Sequence, residues 1–221
     1  MEAGIVMPAA AGAAAGLMLD LAAEKTAAGI LAPEKPGRSG VQRGISVLCG
    51  MILSVCSFNV YGNAGQAWLT FFTGSLLFLI ARVDADTMEI PDWLTIMTAA
   101  GALSSVWVFP DISLAERTAG LLCLSLPMSL ICFLVPDAFG GGDIKLAAVM
   151  GAYLGWKACL AGTFAAVVAG GMQAVFLLVS GRAKPGTGAH MPFGPALCAG
   201  MFLASLAGER MFEWYAGFFI W

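Results

Sequence analysis

The sequence predicts an all-α, polytopic membrane helical bundle of about eight transmembrane helices, organised as a single domain over residues 1–221. Hydrophobic residues make up 59% of the chain and charged residues only 11%, with a mean hydropathy of +0.85. An ordinary globular domain carries about 25% charged residues. The apolar residues come in long uninterrupted runs rather than short alternating segments, which selects helices over a closed barrel as the way to satisfy backbone amides inside hydrocarbon.

The runs cover residues 4–23, 45–62, 67–83, 93–110, 118–136, 144–156, 158–180 and 195–212. The first is rich in Ala and Gly, which suits close helix packing, and Asp20 near its end is expected at the membrane interface. Only Glu2 precedes it where a secretory signal carries positive charge, so it reads as a retained span. The polar stretch 24–44, with Pro33, Pro36 and several glycines, reads as a loop or short interfacial helix. The sixth run is short: Gly155, Trp156 and Lys157 mark a turn after about three helical turns, so this helix is either buried inside the bundle or begins deep in the membrane. The tail 211–221, with Trp214, Tyr215 and Trp221, either continues the last span or lies in the interface as an aromatic anchor.

With the N-terminus outside, Lys25, Lys35, Arg38, Arg43, Arg82, Lys145, Arg182 and Lys184 are cytoplasmic, against Arg117, Lys157 and Arg210 outside. That bias supports the orientation, and merging spans six and seven would weaken it. No basic patch suggests nucleic acid. The six cysteines lie in apolar stretches without a CxxC pair and read as small buried hydrophobes, not as zinc ligands or disulfides.

Two loops on the cytoplasmic side carry the chemistry. One reads Arg82-Val-Asp-Ala-Asp-Thr-Met-Glu-Ile-Pro-Asp-Trp-Leu-Thr95, with Asp84, Asp86, Glu89 and Asp92; the other reads Phe139-Gly-Gly-Gly-Asp-Ile-Lys-Leu146, with Asp143. Two acids joined by the fold can cleave an amide: one carboxylate takes a proton from water while the other, protonated, polarises the carbonyl. Like charges a few ångströms apart do not both ionise readily, so the pair shares a proton near neutral pH. A charge at the bilayer centre costs at least ~2.5 kcal/mol, so acids at that depth need a water-filled recess. Gly140, Gly141 and Gly142 permit unusual backbone angles and let an extended substrate strand approach the main chain.

Simpler roles compete for several of these residues. Asp143 fits the N-cap of the sixth helix and Asp92 the N-cap of the fourth, while Asp86 and Glu89 read as solvated loop acids. Lys145 either lowers the pKa of a neighbouring Asp or anchors its helix at the interface. Pro192 and Pro195 either shape the site or simply end a loop and start the last span. The sole histidine, His190, reads as a solvated loop residue or a site-lining one.

Taken together, the loops resemble the type IV prepilin peptidases, a family of GxGD-type aspartyl proteases. An Asp seven residues before a Pro, followed by an acid, matches Asp84, Pro91 and Asp92. Gly140-Gly141-Gly142-Asp143 with Ile144-Lys145-Leu146 matches the second catalytic element, and Pro192-Phe193-Gly194-Pro195 matches the PFGP element before the last span. The resemblance covers about residues 67–210.

It implies Asp84 and Asp143 as catalytic residues, with Asp86 the rival for the first position. Gly140, Gly141, Gly142, Lys145, Pro192, Phe193, Gly194 and Pro195 are implied as substrate-binding. The implied reaction is removal of the leader from prepilins or pseudopilins at the cytoplasmic face of the bacterial inner membrane, without metal or organic cofactor. Many relatives also N-methylate the new N-terminus and carry a cytoplasmic insertion with paired CxxC motifs between the first two spans. Here that region is only 24–44 and lacks cysteine, so peptidase activity without methyl transfer is expected. The residues alone also fit a preflagellin or presenilin-like protease, or a small proton- or cation-coupled transporter using the same acids.

Overall fold

The structure is a computed structural model that describes residues 3–30, 40–61, 64–135, 138–180 and 192–217. Among these are eight helices and no strand: α1 (Ala3–Ile30), α2 (Gly40–Val60), α3 (Ala64–Thr87), α4 (Asp92–Val108), α5 (Leu114–Leu134), α6 (Gly141–Leu154), α7 (Trp156–Val179) and α8 (Gly194–Ala216). Each predicted span has its helix. Four of them, α2, α3, α5 and α7, are long and apolar enough to cross a membrane. The outward face is apolar too: Trp107, Phe133 and Val179 are about four-fifths exposed, as befits a protein solvated by lipid chains rather than water. The chain is a multi-pass membrane protein.

Glycines set the helix pairing. Gly12 and Gly16 of α1 lie against the backbone of Ser46 and Gly50 in α2, Gly120 of α5 against Gly151 of α6, and Gly162 of α7 against Gly200 of α8. None of these contacts leaves room for a Cβ, so each pair packs backbone on backbone. The core lies among α3, α4, α6 and α8, where Leu77, Ile80, Leu94, Leu146, Met150, Leu197 and Met201 are almost fully enclosed.

The 14 residues of α6 span about 21 Å at 1.5 Å per residue, short of the ~30 Å hydrocarbon core. Of the two sequence alternatives, burial in the bundle holds, since Leu146, Ala147 and Met150 are fully enclosed. The break before α7 falls at Gly155, whose φ of +77° belongs to the region that L side chains avoid. Ser113 and Glu116 start α5 with a capping box, the Ser113 hydroxyl accepting from the Glu116 amide at 3.2 Å and Glu116 Oε2 accepting from the Ser113 amide at 3.0 Å.

Two expectations change and one gains detail. Asp20 is fully buried inside the bundle, takes a hydrogen bond from Ser46 Oγ at 2.8 Å and lies 3.6 Å from Arg82, because a charge inside a bundle is kept only with partners. In the polar stretch 24–44 the described residues are helical, with α1 continuing to Ile30 and α2 beginning at Gly40. Arg43 and Glu24, 3.7 Å apart, join those two helix ends. Arg117, expected in an outer loop, is buried. Its guanidinium donates to the carbonyls of Ser105 (2.9 Å), Phe109 (2.8 Å), Ala152 (3.1 Å) and Tyr153 (3.2 Å) and to Ser105 Oγ (2.6 Å), which closes the C-terminal ends of α4 and α6.

The tail continues the last helix as far as Ala216, beyond a non-helical residue at Ala207. Lys35, Arg38, Arg182, Lys184, His190 and Trp221 lie outside the described residues.

Candidate active site

Asp84 and Asp143 come together at one end of the bundle. The last turns of α3 carry Asp84, which is 6% exposed although it neighbours the exposed Ala85. The helix stops three residues later at Thr87, and the next amide, that of Met88, still donates to the Asp84 carbonyl at 2.7 Å. Asp86 is offset by about 200° around the helix and is half-buried. Asp84, then, is the carboxylate of this turn that points into the core.

Asp143 is the third residue of α6, not its N-cap. Gly140 occupies the cap position without any side-chain hydrogen bond. The Asp143 side chain folds back over Gly140, where an added Cβ would lie 3.3 Å from Asp143 Oδ2. Asp92 is likewise not a cap: Pro91 holds that place at α4, again without a side-chain bond.

The electrostatics join the two acids. Burial pushes the Asp143 carboxyl up to about 6, and the charge of Asp84 pushes in the same direction. Both work against the ionised form that a helix N-terminus favours. Asp84 Oδ2 and Asp143 Oδ1 are buried and make no hydrogen bond, an uncommon state for a buried polar atom. Two acids that feel each other's charge titrate as a pair.

The PFGP element packs against Asp84. The Gly194 backbone hydrogen-bonds the Asp84 carboxylate, and a Cβ added to Gly194 would lie 2.5 Å from Asp84 Oδ2. Phe193 rests on Gly170 of α7, Pro195 sits in the first turn of α8, and Pro192 is half-buried before it. One turn along α8, the buried Cys198 feels the charges of both aspartates. The sequence reading missed Cys198 as a neighbour of the two acids; its position four residues after Gly194, on the same helix face, was the signal.

The glycine triplet divides into distinct parts. Gly142 packs on Ile90, with an added Cβ 2.7 Å from Ile90 Cβ, whereas Gly141 has no neighbour within 4 Å. Lys145 Nζ lies 2.6 Å from Asp92 Oδ1. The charge that acts on Asp143 is that of Asp84, not of Lys145.

Comparison with known proteins agrees with this geometry. The model of the type IV leader peptidase family matches residues 71–175, a range that includes both aspartates. The chain is 31% identical over 168 residues to the prepilin leader peptidase/N-methyltransferase of Bacillus subtilis, covering 74% of this chain and 67% of that protein. This chain belongs to the type IV leader peptidase family. Proteins of the same name from Burkholderia pseudomallei and Legionella pneumophila are 33% and 27% identical, covering 67% and 70% of this chain but 49% and 58% of their own length. The chain thus spans about half to two thirds of these relatives. No solved structure matches. Membership in a peptidase family weighs against the transporter reading of the two acids.

Proposed function

We propose that the chain is an aspartyl endopeptidase that removes the leader peptide of prepilins or pseudopilins at the cytoplasmic face of the bacterial inner membrane, with Asp84 and Asp143 as its catalytic pair. The observation that carries the reading is the juxtaposition of the buried Asp84 with the half-buried Asp143, each with one buried carboxyl oxygen lacking a partner. One carboxylate takes a proton from water as the oxygen adds to the scissile carbonyl, and the protonated partner donates to the carbonyl oxygen. As the resulting diol collapses and the C–N bond breaks, the now-ionised partner takes back a proton from one diol hydroxyl, which becomes the new carbonyl, and the proton held by the base passes to the leaving amine. The amide at Gly194 holds Asp84 in place during these transfers.

The leader strand runs along Gly141, where nothing lies within 4 Å, and past Pro192 and Phe193. The substrate's hydrophobic helix lies among the spans, in contact with lipid. Methyl transfer is not part of the activity: α1 and α2 are joined by residues 31–39 alone, too short a connection to hold a domain with paired CxxC motifs.

The test is incubation of the purified chain with a full-length prepilin and S-adenosylmethionine, read by mass spectrometry. The expected product is the pilin without its leader and with an unmodified N-terminus. A methylated product overturns the statement on methyl transfer, and uncleaved prepilin overturns the whole reading.

A further inference from the structure

Between the two acidic elements lies an ion pair that the proposed chemistry does not use. Lys145 follows Asp143 by two residues on α6, and Asp92 opens α4 on the far side of the turn that leaves Asp84. Their side chains meet at 2.6 Å across 53 residues of sequence. Both are more than half exposed, and such surface pairs contribute only about 0–1 kcal/mol to stability. Stability alone does not account for the arrangement.

What the pair does hold is a turn with little freedom of its own. Met88 adopts φ +57°, the left-handed region, the one such non-glycine residue among those described; a side chain there is strained and is held by its surroundings. Two residues on, Ile90 fills the space where Gly142 would carry a Cβ. Asp92 then has no capping work at α4, because Pro91 takes the cap position. Three successive points of one turn, Met88, Ile90 and Asp92, are thus fixed by local strain, by contact with α6 and by the bond to Lys145. Two of the three anchor the turn to the residues flanking Asp143.

We propose that Asp92 and Lys145 are positioning residues: their ion pair latches the turn after α3 to the first turn of α6 and thereby sets where Asp143 stands relative to Asp84. This rests on the peptidase reading. Catalysis requires both carboxyls around one water and one carbonyl, and a shift of about 1 Å costs up to about 10²-fold in rate. A weak surface pair is enough to matter in kcat while adding little to folding. Being exposed, the latch is screened by salt, with a Debye length of only about 3 Å at 1 M.

The test uses the full chain in detergent with a full-length prepilin as substrate, in three variants: Asp92→Lys, Lys145→Asp and the two together. Each single variant is expected to lower kcat about ten-fold, with KM within about two-fold of wild type and the melting midpoint little changed. The exchanged pair restores kcat to within about three-fold of wild type. Full kcat in either single variant, a loss confined to KM, or no recovery in the double variant overturns the latch. A loss confined to KM would instead assign Lys145 to substrate binding.

A second readout needs no turnover: the melting midpoint of the wild type followed from pH 4 to pH 8. The part of this profile due to the coupling of Asp143 to Asp84 is expected to shrink in both single variants and return in the exchange; an unchanged profile in the single variants also overturns the latch. Failure of the peptidase reading is distinct, since it shows as a wild type that leaves prepilin whole.

Discussion

Gly194 and Asp84 are in contact across two helices: the glycine backbone hydrogen-bonds the carboxylate, and a Cβ at position 194 would fall 2.5 Å from Oδ2. The PFGP element therefore reaches Asp84 of the proposed catalytic pair through a backbone and a missing side chain. Gly194→Ala has to displace either Asp84 or the start of α8. We expect kcat to fall about 10²-fold, the scale of a misplacement of about 1 Å, in a protein that still folds. Activity within three-fold of wild type would separate Gly194 from catalysis.

Asp143 gives a prediction with a sign. Its carboxyl is raised from an ordinary 3.8 to about 6 by burial and then by Asp84, so the folded protein holds this proton more tightly than the unfolded chain does. The associated stability is complete below about pH 4 and is lost as the pH rises through about 6. Asp143→Asn stays neutral throughout and loses nothing. Relative to wild type its stability should climb between pH 4 and pH 7 by about 1 kcal/mol, a figure reduced for partial solvent exposure, and then level off. Melting curves in detergent across this range are the check, and a constant difference is the contrary result.

Arg117 predicts a stability effect at the other end of the bundle. Its guanidinium serves the carbonyls at the ends of α4 and α6 in a geometry that a single ammonium cannot copy. Arg117→Lys should destabilise by about 2–3 kcal/mol, the scale of leaving several buried acceptors without donors, while kcat at the distant aspartates stays near wild type. Calorimetry and a cleavage assay on the same preparation separate the two effects.

These residues also show how far the sequence could be read. The eight helices were legible because hydrocarbon forces the backbone to satisfy itself, so run lengths translate directly into spans. Asp84 and Asp143 stood out because acids flanking apolar runs are costly to place there. Tertiary partners were what one-dimensional spacing did not contain. The partners of the buried Asp20, Ser46 at 26 residues' distance and Arg82, are not visible in the sequence. Arg117 reads as a loop cation until the carbonyls of Ala152 and Tyr153 appear beside it. Gly142 looked like room for substrate, whereas Ile90 occupies that space. Asp92 looked like a helix cap and instead bonds Lys145.

The most direct test of the central claim is cleavage of a prepilin by the wild type and by Asp84→Asn, Asp86→Asn and Asp143→Asn, each shown to be folded. The account predicts that Asp84→Asn and Asp143→Asn each lose at least about 10³-fold in kcat, as for removal of a group that acts in the transition state, while Asp86→Asn keeps its activity. Undiminished cleavage by either Asp84→Asn or Asp143→Asn would contradict it.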